Sequence, residues 1–99
     1  MRRAAKVDAN QREIVAALRQ VGCEILDLSA VGQGCPDILC ARHGINFLLE
    51  CKRPKAKGEA AGKPTKAQLD FFARWQGRGQ YAIVHTVDEA LRAVGAVSP

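Results

Sequence analysis

Two short motifs carry the residues best able to hold a divalent metal against a phosphodiester. Asp37 follows Pro36, and thirteen residues later the triplet Glu50-Cys51-Lys52 begins. Two carboxylates supply the hard oxygen ligands that Mg²⁺ and Mn²⁺ prefer. A lysine beside them can orient a water or neutralise charge that develops on a phosphate. These residue types predict metal-dependent hydrolysis of a nucleic acid.

The residues around the triplet predict how its two charged side chains are arranged. Residues 45–52 form a largely apolar run, which is typical of a buried strand. Successive side chains of a strand point to opposite faces, so Glu50 and Lys52 are expected on the same side. A buried carboxylate beside an ammonium group is costly unless the pair has a partner or a function. A surface ion pair, with Asp37 as an ordinary turn residue, is the simpler alternative.

The composition is that of one soluble globular domain with an excess of positive charge. The 99 residues are 47% hydrophobic and 25% charged, with a formal net charge of +5. Much of the positive charge falls in one loop rich in lysine, glycine, proline and alanine, which we expect to be mobile. Contacts with DNA phosphates, without reading of base sequence, are expected from Arg53, Lys55, Lys57, Lys63 and Lys66. A solvated flexible loop is the alternative.

The cysteines and the hydropathy pattern argue against several classes of protein. The four cysteines show no Cys-X-X-Cys pair and no matching histidine spacing, which argues against a zinc site. We therefore expect free thiols in a reducing compartment. No segment approaches the roughly 20 apolar residues that cross a bilayer. The expectation is a soluble intracellular protein with no membrane partner.

Hydrophobic periodicity predicts seven elements in the order α-β-β-β-α-β-α. Helices are expected over residues 8–21, 65–76 and 86–94, and strands over 24–28, 37–41, 45–52 and 81–85. The second and third strands predict an antiparallel hairpin, and the fourth strand is expected to be buried. Leu69, Phe72 and Trp75 or Gln76 form the predicted inner stripe of the second helix. Trp75 and Tyr81 are expected in the core or at a dimer interface.

Four short motifs, taken in order, resemble those of a known nuclease superfamily. They are residues 34–37 (GCPD), 50–52 (ECK), 65–68 (TKAQ) and an acidic residue in the first helix, Glu13. Together they resemble the PD-(D/E)XK superfamily and, more narrowly, the stand-alone VRR-NUC domain nucleases of phages and bacteria. The resemblance implies a restriction-endonuclease-like α/β core with a mixed central sheet flanked by helices. Residues 1–99 would form a single VRR-NUC-like domain, acting in the cytoplasm of a bacterium or of a phage's host.

The same resemblance implies hydrolysis of phosphodiester bonds in branched DNA with Mg²⁺ or Mn²⁺, in DNA repair and recombination. A homodimer that resolves Holliday junctions is the favoured form, because two symmetric sites suit the cutting of two strands. A monomeric nicking or flap endonuclease is the nearest alternative. A non-catalytic DNA-binding module and a structural partner of a larger complex are the others.

Phosphodiester hydrolysis assigns roles to the central residues of the motifs. Asp37 and Glu50, on neighbouring strands, are expected to reach the same metal ion, joined by the backbone carbonyl of Cys51. The metal would polarise the scissile phosphate and lower the pKa of a bound water. Lys52 is then expected to orient or activate that water, or to neutralise charge on the phosphate.

Two further positions carry competing interpretations. Glu13 matches the superfamily's additional acidic position and is expected to reach the site directly or through water, as a support for a second metal. A solvent-facing glutamate is the alternative. Gln68 is expected to orient a metal-bound water or a carboxylate, or to close a capping box with Thr65, and the two roles are compatible. His43 and His85 show no evident partner in the sequence and are expected outside the site.

Overall fold

The chain folds into a four-stranded sheet and three helices, in a computed structural model that describes residues 9–96. The helices are α1 (Ala9–Gln20), α2 (Lys66–Trp75) and α3 (Val87–Ala93), and the strands are β1 (Glu24–Asp27), β2 (Ile38–Arg42), β3 (Ile45–Cys51) and β4 (Gln80–Val84). The predicted order is confirmed, although Asp8, the predicted start of the first helix, lies outside the described residues. None of these helices has the length and apolar composition needed to cross a membrane.

The sheet is mixed, as predicted, and its strands lie in the order β1-β2-β3-β4. The first three strands are antiparallel, and β4 is parallel to β3 because α2 carries the chain back to the other end of the sheet. The β2–β3 hairpin turns through His43 and Gly44, whose φ angles of 52° and 81° match the hand of twist that two-residue hairpins require. This mixed sheet with flanking helices is consistent with the restriction-endonuclease-like fold.

The main core lies on the sheet face that α1 and α3 cover. Alternate residues of β3, including Phe47 and Leu49, point into this face with Ile38 of the neighbouring strand. From α1, Ile14 and Leu18 pack against them and are fully buried. The intervening residues of β3, among them Glu50, therefore point to the opposite face, and Lys52, the first residue after β3, pairs with Glu50 there.

The prediction for the inner stripe of α2 is wrong in part. Leu69 is 48% exposed and Trp75 is 38% exposed, and no residue of α2 is fully buried. The helix instead contacts the sheet through Phe71 and Phe72, whose rings meet Tyr81 at centroid distances of 6.1 and 4.7 Å. The cause is the position of α2, which lies over β4 at the edge of the sheet, so little sheet lies beneath the rest of the helix.

The fourth strand also differs from the prediction of a buried strand. It lies at the edge of the sheet and pairs only with β3 among the described strands. Of its five residues only Val84 is buried. Its apolar composition reflects one face packed against α3 and the other against α2, without a strand beyond it.

Candidate active site

Asp37 lies immediately before β2 and is fixed by the main chain on two sides. Its carbonyl accepts a hydrogen bond from the Leu28 amide at 2.7 Å, and its Oδ2 accepts one from the Cys51 amide at 2.7 Å. The pairing of Ile38 with Leu49 places Asp37 opposite Glu50 when the register is continued by one residue. The two carboxylates are thereby brought together, as predicted.

Glu50 is a buried carboxylate with one oxygen satisfied and one unsatisfied. The residue is 1% exposed, and its Oε2 lies 3.0 Å from Nε2 of Gln68 and 3.5 Å from Nζ of Lys52. Its Oε1 is buried without a hydrogen-bond partner among the described residues. Burial, followed by the negative charge of nearby Asp37, raises the pKa of Glu50 to about 8, against the opposing charge of Lys52. The ionised carboxylate is therefore held at a cost that a bound cation would offset.

The main chain of Lys52 is hydrogen-bonded to β4 and to α1, which fixes its side chain beside Glu50. Its amide donates to the Val84 carbonyl at 2.9 Å, and its own carbonyl accepts from Nδ2 of Asn10 at 2.8 Å. Its side chain lies on the same sheet face as Glu50, as the alternation predicted, and the two form an ion pair. The ammonium group is therefore held at the end of the sheet, where a phosphate can approach.

Gln68 makes both of the contacts that the sequence left open. The side-chain oxygen Oε1 of Gln68 accepts a hydrogen bond from the Thr65 backbone amide at 2.8 Å. The backbone amide of Gln68 donates to Oγ1 of Thr65 at 3.2 Å, which completes the capping box. Its Nε2 donates to Glu50 at 3.0 Å. One side-chain amide therefore begins α2 and also holds the site carboxylate.

The turn before Asp37 fits closely against the start of α2 at Gly34. This residue has a φ of +79°, which favours glycine, and a Cβ atom there would overlap the carbonyl of Ala67. The glycine therefore allows the backbone of the turn to approach the residue that precedes Gln68. The GCPD motif and the TKAQ motif are in contact through this position.

Gly34→Ala is expected to move the first turn of α2 and to loosen the contact between Gln68 and Glu50. The free energy of unfolding should fall by roughly 2 kcal/mol or more, from the positive φ and the overlap together. Gly32→Ala is the matched control, since Gly32 has a φ of +76° but no atom within 4 Å of an added Cβ. Urea unfolding of both variants measures the difference. Equal losses would contradict the close approach at Gly34.

Glu13 does not join the two carboxylates. It is exposed on α1, and residues 9–96 contain no group of three or more His, Cys, Asp or Glu side chains arranged to hold a metal ion. A contact through water, as a support for a second metal, stays a prediction for this residue.

Two side chains of α1 that the sequence did not single out, those of Asn10 and Gln11, lie at the end of the sheet that carries the site. Asn10 holds the carbonyl of Lys52, and Gln11 is buried and donates to Oγ of Ser29 at 3.2 Å. The signal for Gln11 was present, because it precedes the buried Ile14 and Leu18 at helical spacing. Hydropathy does not mark Gln11, because a glutamine gives no apolar signal even where its position in the helix faces the core.

The basic residues fall into two groups. Arg53 pairs with Glu59 at 3.1 Å, and Lys66 pairs with Asp70 at 3.0 Å, both at exposed positions. The loop between β3 and α2 is closed by hydrogen bonds between Ala56 and Glu59. The exposed lysines of this loop, for which no ion pair is present among the described residues, are Lys55, Lys57 and Lys63.

His85, for which the sequence showed no evident partner, pairs with Glu89. Its Nδ1 lies 3.0 Å from Oε1 of Glu89, and the same oxygen accepts from the His85 amide at 2.8 Å. Glu89 thereby satisfies the backbone just before α3, whose first turn is capped by Thr86. The pairing indicates that His85 stabilises the start of α3 and is not part of the candidate active site. His43 lies in the β2–β3 turn.

The donor set fits a hard divalent cation. Asp37 and Glu50 offer carboxylate oxygens on adjacent strands, and the unpartnered Oε1 of Glu50 is the kind of atom that a metal ligand leaves in a metal-free site. A backbone carbonyl such as that of Cys51 and several waters would complete the coordination that Mg²⁺ or Mn²⁺ requires. Such an ion would polarise a phosphate oxygen and lower the pKa of a bound water.

Comparison with known proteins agrees with this geometry. The model of the archaeal Holliday junction resolvase (Hjc) family matches residues 2–92. No curated protein and no solved structure matches the chain significantly. The matched segment contains Asp37, Glu50, Lys52 and Gln68. Because the match covers nearly all of the 99 residues, the chain belongs to the archaeal Holliday junction resolvase (Hjc) family, a family of PD-(D/E)XK-type nucleases.

Proposed function

We propose that the protein is a divalent-metal-dependent endonuclease that cuts four-way DNA junctions as a homodimer. Asp37 and Glu50 bind Mg²⁺ or Mn²⁺, and Lys52 is the catalytic cation. The observation that carries the proposal is the buried Glu50 carboxylate, which faces Asp37 and has one oxygen unpartnered. Family membership supports the junction as substrate. The finer resemblance to VRR-NUC nucleases stays a prediction.

The residues around the proposed metal position have two roles in hydrolysis: some orient the metal ligands, and Lys52 stabilises charge on the phosphate. Gln68 and the Cys51 amide hold Glu50 and Asp37 in place, so the ligands are fixed before DNA arrives. The Lys52 ammonium group pairs with the Glu50 carboxylate in the DNA-free protein. When DNA binds, the same ammonium group can pair with a phosphate oxygen instead. In that position its charge stabilises the transition state, in which negative charge on the phosphate increases.

The homodimer is supported by an apolar row on the sheet face that carries the site. Leu26, Leu39, Leu48 and Tyr81 are neighbours in register across the four strands. Exposure increases along the row: Tyr81 packs against α2, Leu48 is 9% exposed, and Leu26 at the other end is 57% exposed. A second copy placed on this leucine row (Leu26, Leu39 and Leu48) would bury its exposed end at Leu26 and bring two sites to one side of a symmetric pair.

Leu26→Lys is expected to convert a dimer to a monomer without unfolding the chain, because it places a charge in the leucine row. Ile45→Lys is the matched control, since Ile45 is 47% exposed but lies at the β2–β3 turn. Light scattering after size exclusion measures the mass of each variant. A wild-type monomer at micromolar concentration, or equal effects of the two substitutions, would contradict the proposed interface.

Replacing Lys55, Lys57 and Lys63 together by alanine is expected to weaken junction binding and reduce its salt dependence. For each phosphate that is no longer neutralised, the slope of log K against log salt should decrease by about 0.9. A variant with Arg19, Arg78 and Arg92 replaced removes the same charge elsewhere. Binding in Ca²⁺ over a range of salt concentrations measures both. An unchanged slope for the lysine variant would mean that the loop does not contact phosphate.

A panel of substrates tests the proposed specificity. Labelled four-way junction, flap, duplex and single strand are incubated with wild type or Asp37→Asn in Mn²⁺, Mg²⁺ or EDTA. We expect cuts in the junction that are lost in EDTA and in the variant. Metal-dependent cutting of flap or duplex instead would keep the nuclease and reject the junction, and no cutting of any substrate would favour a DNA-binding module.

A further inference from the structure

Two buried polar atoms near the site lack a hydrogen-bond partner among the described residues. One is Oε1 of Glu50, which can only accept when the carboxylate is ionised, and the other is the hydroxyl of Tyr81, which can donate. A buried polar group without a hydrogen-bond partner destabilises the folded state. The two unsatisfied atoms are therefore a complementary donor and acceptor that no protein atom joins.

The fold places these two atoms on the same face of the sheet. Tyr81 is paired with Leu48 in the parallel register of β3 and β4, and Glu50 is two residues further along β3. Tyr81 and Glu50 are therefore diagonal neighbours on one face of two adjacent parallel strands. The tyrosine ring is held by Phe72 and Phe71 of α2, so its hydroxyl has a fixed position.

The electrostatics of Tyr81 agree with this placement. Burial raises its pKa to about 12, and the charges of Glu50, Asp37 and Cys35 contribute in the same direction. These groups act on the hydroxyl only because it lies near them in a region shielded from water. The hydroxyl is buried and lies within electrostatic reach of the carboxylates.

We propose that Tyr81 is a positioning residue of the metal site, whose hydroxyl donates a hydrogen bond to a buried water that donates in turn to Oε1 of Glu50. One water satisfies both unpartnered atoms, as buried waters between polar groups do. The bridge fixes the carboxylate orientation in which Oε1 faces the ion. This inference rests on the proposed function, because it assigns Tyr81 a role toward the metal that Glu50 binds.

Calorimetric titration of the DNA-free protein with Mn²⁺ tests the inference on wild type, Tyr81→Phe and Phe72→Leu. Tyr81→Phe removes only the hydroxyl, whereas Phe72→Leu loosens the ring packing and retains the hydroxyl. Loss of a group that orients a metal ligand typically weakens metal affinity by about 10- to 100-fold. We expect a loss of about 10-fold or more in Tyr81→Phe, with a midpoint of urea unfolding close to that of wild type.

The control separates positioning from packing. Affinity for Mn²⁺ within about twofold of wild type in Phe72→Leu, beside the loss in Tyr81→Phe, supports the water bridge. Equal losses in both variants, or an unchanged affinity in Tyr81→Phe, would overturn it. If the wild type itself binds no Mn²⁺, the proposed metal dependence fails first, and the inference is overturned with it. Wild-type binding with an unaffected Tyr81→Phe leaves the proposed function intact.

Discussion

Glu50→Gln is expected to abolish cleavage and, in the metal-free protein near pH 8, to increase the free energy of unfolding. The glutamate is almost fully buried beside Asp37, so its ionised form is held against desolvation and like charge. Glutamine keeps the shape and the hydrogen-bonding capacity but carries no charge. We expect a gain of roughly 2–4 kcal/mol in urea unfolding, together with a loss of Mn²⁺ binding.

The gain in unfolding free energy of Glu50→Gln over wild type is expected to increase with pH. Because the folded pKa of Glu50 is raised from 4.5 to about 8, the folded state binds its proton more tightly than the unfolded state. Stability from this group is therefore complete below about pH 4.5 and is lost as the pH rises through about 8. The advantage of Glu50→Gln should grow over the same range, whereas Glu24→Gln, at an exposed position, should show none. A constant difference between wild type and Glu50→Gln would contradict the raised pKa.

Mn²⁺ should reverse the order of stability. The ion binds the folded wild type and so stabilises it in proportion to the logarithm of its concentration. Glu50→Gln lacks a ligand and should gain little. Unfolding midpoints that rise equally with Mn²⁺ in both proteins would remove Glu50 from the metal site.

Lys52→Ala is the second large expected effect, on cleavage rate alone. Removing one group that stabilises transition-state charge typically costs about 10²–10³ in rate. Single-turnover cleavage of a junction should therefore fall by about that factor, while junction binding in Ca²⁺ and Mn²⁺ affinity stay near those of wild type. The main chain of residue 52 keeps its hydrogen bonds to Val84 and Asn10, so the strand end should persist.

Arg53→Ala is the matched control for Lys52→Ala. Arg53 is the next residue, but it is exposed and paired with Glu59 at the surface. Its loss should affect binding modestly and leave the single-turnover rate near that of wild type. Retained cleavage in Lys52→Ala, or an equal loss in Arg53→Ala, would remove Lys52 from the chemistry.

The sequence predicted those features that short-range geometry controls. Strand alternation alone placed Glu50 and Lys52 on one face, and the spacing of Thr65 and Gln68 alone predicted the capping box. The hairpin that brings Asp37 opposite Glu50 follows from a two-residue turn between apolar runs. These are local rules, and tertiary packing did not override them.

The features that the sequence did not predict depend on how whole helices and strands pack against one another. The inner stripe of α2 could not be chosen from periodicity, because α2 lies over the edge strand β4 and leaves Leu69 exposed. The contact of Gly34 with Ala67, and of Asn10 with Lys52, joins residues more than thirty positions apart. Such contacts are set by long-range packing that hydropathy in one chain does not encode.

The most direct test of the central claim is to map cut positions on all four strands of a labelled junction. Wild type and Glu50→Gln are compared in Mn²⁺ and in EDTA, at protein concentrations where both bind the junction. We expect paired cuts at symmetric positions in two opposed strands, only for wild type and only with Mn²⁺. Cuts that persist in EDTA or in Glu50→Gln would contradict a nuclease site built on the Asp37 and Glu50 carboxylates.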